Sequence, residues 1–210
     1  PIGTIVCKFP QLIPVAVLPQ LKEKYIISEY CIGAVGKVAS VMLYSEVPLE
    51  KITTVLLDYQ SRTSVDLVKV LADNFWKINP QWLPAKENFE TEIKEATAAV
   101  IIGDRTFGIE NKYKFSYDLA EEWQKFTGLP FVFACWVSNK KLADDFIIEF
   151  NEALKTGLNN RSELIIELQK SNKYPTDIDT YLNQNIDYNY DSAKKQGLEL
   201  FLSYQAILEQ

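Results

Sequence analysis

The sequence predicts an α/β fold that ends in a helical tail. Short apolar segments rich in β-branched residues alternate with helical patterns as far as about residue 138, and only helical patterns follow. Nearly continuous apolar runs are typical of parallel strands that are buried on both faces. A chain of 210 residues with 47% hydrophobic content can bury a substantial core, either as one large domain or as two small lobes.

The predicted strands and helices can be placed in order along the chain. The predicted strands are residues 13–17, 38–44, 53–57, 98–102 and 131–136. The predicted helices are residues 63–76, 117–126, 140–155, 162–170 and 191–208. In the second of these helices, Leu119, Trp123 and Phe126 recur at the spacing of one helix face, so we expect that face to pack on the core.

Charge and hydropathy exclude several classes of partner. The net charge is −6 and no block of Lys or Arg occurs, so nucleic acid and anionic membrane surfaces are not expected partners. No apolar run approaches the ~18 residues of a membrane span. The amino end lacks a charged region followed by an apolar one, as a secretory signal would have. We therefore interpret the chain as a cytoplasmic protein.

The residue inventory excludes several kinds of catalysis. The chain contains no His, which removes Ser-His-Asp and Cys-His catalysis and most zinc sites. Cys7, Cys31 and Cys135 are widely spaced and flanked by apolar residues, so we expect buried thiols with neither a disulfide nor a metal site. Neither glycine-rich nucleotide motif occurs. We predict no metal and no cofactor, and catalysis by hydroxyls, carboxylates, amides or the substrate itself.

Hydroxyls and a guanidinium crowd the predicted amino terminus of the first helix. They belong to Ser61, Arg62, Thr63 and Ser64, which follow an apolar strand. Unpaired backbone N–H groups and the positive end of the helix dipole favour a carboxylate or phosphate there, and hydroxyls add donors. The alternative is that Thr63 only caps the helix, with Asp66 closing a pair that resembles a capping box.

Two further strand and helix ends could face the same ligand. Asp104 ends the apolar segment 98–103, where its carboxylate either points into a cleft or closes a local turn over the next two residues. Gly128 follows the second helix directly, with Pro130 as a stop signal. Its N–H group either ends the helix or lets a ligand approach the backbone closely.

Four ordered motifs resemble the chorismate dehydratases (MqnA) of the futalosine route to menaquinone. They are residues 40–49 (SVMLYSEVPL), 61–64 (SRTS), 102–104 (IGD) and 118–134, which include the run TGLPFVFA. The resemblance covers roughly residue 12 to the carboxyl end. It implies a periplasmic-binding-protein type II fold, in which two α/β lobes close over a ligand. Lobe one would hold residues 1–45 and 136–210, and lobe two residues 46–135.

The resemblance also implies a reaction and the residues that perform it. The reaction is the dehydration of chorismate to 3-[(1-carboxyvinyl)oxy]benzoate by a hydro-lyase, without a cofactor. Ser40 matches a serine tied to catalysis in that family, and the alternative is a serine that only bonds backbone at a strand start. One substrate carboxylate would be held by the hydroxyls of residues 61–64. The backbone of Gly128 and Leu129 would line the facing wall.

The chain departs from the family pattern at its amino end. An Asn motif tied to catalysis has no match, because the first dozen residues do not resemble the family opening. We therefore expect lobe one to lack its first strand units, and turnover to be reduced or absent. Uncovered strand edges at residues 13–17 and 38–43 could then promote self-association. The alternative function is a non-catalytic or truncated protein of the same fold that binds a small carboxylate.

Overall fold

Two β-sheets and six α-helices make up the part of the chain that the computed structural model describes, residues 10–171 and 174–208. The strands are β1 (Gln11–Pro14), β2 (Tyr25–Ala34), β3 (Val41–Ser45), β4 (Thr54–Leu57), β5 (Gln81–Pro84), β6 (Thr97–Ile102), β7 (Phe115–Asp118), β8 (Phe131–Ser138) and β9 (Asp187–Asn189). The helices are α1 (Thr63–Leu71), α2 (Leu119–Thr127), α3 (Asp144–Asn159), α4 (Arg161–Ser171), α5 (Ile178–Thr180) and α6 (Ser192–Leu208). Two π-helical turns, Ala72–Trp76 and Tyr181–Asn185, extend α1 and α5.

The two sheets differ in strand direction. The four-stranded sheet has the order β1-β8-β2-β9 and is antiparallel throughout. The five-stranded sheet has the order β5-β4-β6-β3-β7, in which β4 runs parallel to β5 and β6, whereas β3 is antiparallel to β6 and β7. The predicted α/β class is therefore confirmed, with a mixed rather than a purely parallel strand arrangement.

The predicted helices are largely confirmed, whereas the predicted strands are incomplete. Strand β1 ends at Pro14, and a 3-10 helix, Val15–Gln20, replaces the rest of the strand predicted at 13–17. The prediction missed β2, β5, β7 and β9. Strand β2 contains Glu29 and two register shifts against β8, so its apolar pattern is irregular. The other three strands are short and contain exposed polar residues.

Strand pairing bears on the proposed lobes. Strand β3 belongs to the five-stranded sheet, although residues 1–45 were assigned to lobe one. Strand β8 belongs to the four-stranded sheet, although most of it was assigned to lobe two, residues 46–135. The chain thus crosses between the sheets near residue 40 and near residue 130. The uncovered edge expected at 38–43 is also wrong, because β3 lies between β6 and β7. Strand β1 does lie at a sheet edge.

Helix α1 occupies the centre of the apolar core. Its buried side chains include Leu67, Val68 and Leu71, and they belong to one cluster with residues of both sheets. Helices α2 and α6 both pack against α1 and add Trp123 and Phe201, whose rings lie 6.1 Å apart. The two sheets are therefore joined through a shared core and not through the chain crossings alone.

Two cysteines lie directly opposite each other in the four-stranded sheet. Cys31 of β2 pairs with Cys135 of β8, and both are buried and free, as the sequence predicted. Burial raises the pKa of each thiol to about 12. Both thiols are therefore protonated at neutral pH and unreactive in the folded chain. Cys7 lies outside the described residues.

None of the helices in the described part of the chain is long and apolar enough to cross a membrane.

We predict that a single methyl group at Gly197 in α6 destabilises the fold. A Cβ at this position would lie 2.2 Å from the Pro130 carbonyl oxygen, and a backbone atom cannot move aside as a flexible side chain can. Gly197→Ala should lower the free energy of unfolding by about 1–3 kcal/mol or more in urea denaturation.

Gly157→Ala is the matched control. Gly157 also lies in a helix, α3, but a Cβ there would meet nothing within 4 Å. This variant should raise the free energy of unfolding by about 0.5–1 kcal/mol, because Ala loses less backbone entropy on folding. Equal effects of the two substitutions would contradict the close packing of α6 on the start of β8.

Candidate functional site

A cavity of about 240 Å³ lies where strand ends of both sheets meet the amino terminus of α1. Its lining is Pro14, Ile32, Val38, Ser40, Val41, Gln60, Ser61, Thr63, Ser64, Ile102, Gly103, Phe133, Ala134, Tyr181 and Ile186. None of these residues is charged. An apolar lining with a few convergent hydroxyls is typical of a small-molecule site, and the volume suits a small ligand.

Ser61, two residues before α1, accepts a hydrogen bond from the first turn of the helix. Its Oγ accepts a hydrogen bond of 3.1 Å from the Ser64 N–H. The N-cap predicted at Thr63 is therefore wrong, and the Asp66 carboxylate instead accepts from the side-chain amide of Gln205 at 2.8 Å. The first backbone bond of the helix joins the Asp66 N–H to the Arg62 carbonyl, so the preceding N–H groups have no acceptor within the helix.

The hydroxyls of Thr63 and Ser64 have different surroundings. Thr63 Oγ1 donates to the Phe133 carbonyl at 3.1 Å and accepts from the Ala16 N–H at 3.3 Å. Ser64 is 2% exposed, and its hydroxyl makes no hydrogen bond to a described residue. Of the two, only Ser64 has a hydroxyl available to a ligand.

A buried carboxylate fixes the loop that leads into α1. Asp58 follows β4 and is 2% exposed; its two oxygens accept from the Gln60 N–H at 2.9 Å and the Ile102 N–H at 3.2 Å. The Arg105 guanidinium also donates to Asp58 and lies 3.2 Å from the Gln60 side-chain oxygen. Asp58 thus ties the strand end before α1 to the end of β6. The sequence signal for this role, a carboxylate directly after an apolar strand, is present at Asp58, but the role was not predicted.

Ser40 reaches the cavity from a strained segment before β3. Ala39 has φ +63°, which is uncommon for a residue other than glycine, and its N–H donates to the Asp118 carboxylate at 2.7 Å. Asp118 also caps α2 by accepting from Ala120 and Glu121. Burial raises the pKa of Asp118, and its hydrogen bonds from backbone N–H groups oppose that shift.

Tyr181 forms the facing wall of the cavity. Its hydroxyl donates to Ser40 Oγ at 3.0 Å, and its ring lies edge-on to Phe107 with centroids 5.0 Å apart. Burial raises the pKa of Tyr181 above its ordinary value. Tyr181 was not predicted as a site residue, although it lies within the region of family resemblance.

The structure brings together four of the eight site residues expected from the sequence. Ser40, Ser61, Thr63 and Ser64 line the cavity. The other four do not: Arg62 and Asp104 are exposed beside it, and Gly128 and Leu129 lie at the far end of α2.

The residues outside the cavity have visible local roles. At Asp104, the backbone carbonyl accepts from the Phe107 N–H at 3.2 Å and closes a 3-10 turn, so the turn is held by the main chain. Gly128 has φ +74° and donates its N–H to the Gln124 carbonyl at 2.8 Å, which is the geometry of a glycine that ends a helix. Leu129 packs beside Gly197 of α6.

The aromatic residues divide between core and cavity. Trp123 and Phe131 are buried in the core, and Trp136 packs edge-on against Phe150 with centroids 5.1 Å apart. Phe133 is half-buried and lines the cavity. Within residues 10–171 and 174–208, no group of three or more Cys, Asp and Glu side chains is placed to hold a metal ion.

The chain is similar to a known protein family and to solved structures. A family model described as menaquinone biosynthesis matches residues 11–206. The chain is similar in structure to protein AF1704 from Archaeoglobus fulgidus, with a TM-score of 0.64 and 14% identity over 95% of this chain and 79% of that one. It is also similar to an ABC transporter protein from Parabacteroides distasonis, with a TM-score of 0.61 and 15% identity over 94% and 74% of the two chains. At these identities the two structures indicate the fold alone, and they are compatible with a binding-protein-like fold.

We predict that Thr63 and Ser64 contribute differently to stability. Thr63→Val keeps the side-chain shape but leaves the Phe133 carbonyl and the Ala16 N–H unpaired in a buried place. The free energy of unfolding should fall by about 1–3 kcal/mol. Ser64→Ala removes a hydroxyl without a protein partner and should change the free energy of unfolding by less than about 0.5 kcal/mol. An equal loss in both variants, measured by urea denaturation, would contradict this assignment.

Proposed function

The chain belongs to the menaquinone biosynthesis family, and from this premise we propose that it is a chorismate dehydratase, a hydro-lyase that forms 3-[(1-carboxyvinyl)oxy]benzoate. The observation that carries the proposal is the uncharged cavity with hydroxyls of Ser40 and Ser64 on its wall, at the amino terminus of a helix. Chorismate is a small dicarboxylate with a hydroxyl group on its ring. It needs a neutral anion site, an apolar surface for the ring, and a donor for the hydroxyl that leaves.

The reaction places modest demands on the protein. The C–H bond at the ring carbon that carries the ether breaks, and its electron pair forms a ring double bond. The neighbouring C–O bond breaks with it, and the departing hydroxyl takes up one proton, equivalent to the one released, and leaves as water. The ring becomes aromatic, which drives the elimination. Positioning and hydrogen bonds that strengthen as charge develops can then provide the acceleration, so we propose a reaction without metal or cofactor.

The amino terminus of α1 is the proposed carboxylate site. Ser61, Thr63 and Ser64 line the cavity at this end of the helix. The unpaired backbone N–H groups and the positive end of the helix dipole lie at the same end and favour an anion there. The Ser64 hydroxyl adds a donor, whereas Ser61 and Thr63 orient the helix end through their own hydrogen bonds. Arg62 lies beside this site and adds positive charge at the rim.

The apolar lining is the proposed surface for the substrate ring. Ile32, Val41, Ile102 and Phe133 provide it, and together they come from both sheets. Ser40 immediately precedes β3 and lines the same cavity as these residues. We assign Ser40 as the donor to the leaving hydroxyl, and a cytoplasmic location is part of the same proposal.

A second candidate function is binding without turnover. The fold is shared with a protein described as an ABC transporter, and folds of this kind can bind a ligand without transforming it. A protein of this kind would keep the anion site at α1 and would bind chorismate or another small carboxylate unchanged. The two candidates differ in one measurement, the formation of product.

We predict that the purified chain converts chorismate to 3-[(1-carboxyvinyl)oxy]benzoate and water, more slowly than a family member that carries the Asn motif, as followed by liquid chromatography and mass spectrometry. Ser40→Ala should lower the rate at least about 100-fold, because a positioned proton donor is lost. Ser116→Ala, at an exposed position of β7, is the control and should keep the rate. Binding of chorismate without any product would instead favour the second candidate.

We further predict that Ser64 contributes to affinity and Thr63 contributes much less. Ser64→Ala should weaken binding of chorismate or a benzoate analogue by about 1–3 kcal/mol, because a hydrogen bond to a carboxylate is lost. Thr63→Val is the matched control, since the Thr63 hydroxyl already has two protein partners. Calorimetric titration measures both affinities, and unchanged affinity of Ser64→Ala would remove α1 as the carboxylate site.

A further inference from the structure

The hydrogen bond between Tyr181 and Ser40 links two parts of the chain that are 141 positions apart. Both residues line the cavity, and Ser40 is 6% exposed. The O–O distance of 3.0 Å is that of an ordinary hydroxyl–hydroxyl hydrogen bond. This bond therefore determines how the Ser40 hydroxyl is oriented before any ligand binds.

The direction of the bond decides what Ser40 can do. A serine hydroxyl has one proton to donate and two lone pairs to accept. The phenol of Tyr181 is a stronger acid than the alcohol of Ser40, so Tyr181 is the better donor of this pair. With Tyr181 donating, the Ser40 proton is given to no group of the described residues. The cavity is the direction left for that proton, so Ser40 is oriented as a donor toward a ligand.

Tyr181 is itself held on several sides. Its ring lies edge-on to Phe107, its N–H donates to the Asp177 carbonyl at 2.9 Å, and its carbonyl accepts from the Ile186 N–H at 3.1 Å. Asp177 in turn caps α5 by accepting from Asp179 and Thr180. The tyrosine hydroxyl also remains protonated at neutral pH, since the pKa of a phenol is ordinarily about 10 and burial raises the pKa of Tyr181 further. A fixed backbone, a fixed ring and a retained proton make it a constant donor to Ser40.

We propose that Tyr181 is a positioning residue for Ser40. The hydrogen bond from its hydroxyl fixes the orientation of the Ser40 hydroxyl, so that the serine proton points at the ligand. The inference rests on the proposed function for the identity of the ligand and deepens it by adding the residue that orients the donor. A tyrosine that served only as a wall would act through its ring, and its hydroxyl would then be dispensable.

Tyr181→Phe separates these two roles because it keeps the ring and removes only the hydroxyl. The rate kcat should fall about 10- to 100-fold, since poor placement of a reacting group has effects of this size. KM should change less than about threefold, because the cavity keeps its shape. Tyr188→Phe is the matched control: Tyr188 is also half-buried and lies close by in β9, but it does not line the cavity. Its kcat should stay within about twofold of the original.

A double-mutant cycle tests whether Tyr181 acts through Ser40. If it does, Tyr181→Phe combined with Ser40→Ala should be no slower than Ser40→Ala alone. If the double variant instead lost rate by the product of the two single-variant factors, the inference would be overturned. A kcat of Tyr181→Phe within twofold of the original would overturn it as well. Far-UV circular dichroism and melting temperature confirm that each variant is folded.

The same cycle distinguishes this inference from the proposed function. If the original chain binds chorismate but forms no product, the dehydratase proposal fails, and the cycle is measured on the dissociation constant for chorismate. Tyr181→Phe and Ser40→Ala should then weaken binding by similar factors, and the double variant should bind no more weakly than Ser40→Ala. Affinity of Tyr181→Phe equal to that of Tyr188→Phe would overturn the positioning role in that case as well.

Discussion

The hydroxyl of Thr63 joins three elements that are far apart in the sequence. It donates to the Phe133 carbonyl in β8 and accepts from the Ala16 N–H in the turn after β1, and both bonds originate in the first turn of α1. The helix end is thereby fixed against the four-stranded sheet, while its apolar face packs against residues of the five-stranded sheet. The cavity exists because α1 cannot move away from either sheet without breaking these contacts. Its position follows from one buried side chain and its two backbone partners.

Buried carboxylates stabilise the loops around the cavity and leave its lining uncharged. Asp58 accepts hydrogen bonds from two backbone N–H groups and from Arg105. Asp118 accepts from the Ala39 N–H just before β3 and from the Ala120 N–H in the first turn of α2. Each carboxylate therefore has partners that compensate for its removal from water. The Arg105 guanidinium also neutralises the negative charge of Asp58, which reduces the repulsion between this carboxylate and an anionic ligand. Neutral donors at the helix terminus and at Ser40 are then the groups that a substrate meets.

Local features of the fold could be read from the sequence, whereas contacts between distant segments could not. The long helices were predicted because their apolar positions recur over several turns, as at Leu119, Trp123 and Phe126. The group of hydroxyls at residues 61–64 was predicted because a strand, a polar run and a helix follow one another directly. Which hydroxyl caps, which supports the fold and which stays free depends on Phe133 and Ala16, and no local pattern indicates these partners. The same applies to Tyr181, whose partner Ser40 is 141 positions away.

The residues of one short motif thus serve two different requirements. Ser61 and Thr63 use their hydroxyls on backbone groups, and only Ser64 keeps its hydroxyl for a ligand. A change at Thr63 acts on the stability of the fold, whereas a change at Ser64 acts on the ligand itself. Ser40 shows the same division within a single residue, since its carbonyl accepts from Gly103 and its hydroxyl faces Tyr181 and the cavity. Loss of function at these positions is therefore informative only when stability and affinity are measured on the same variant.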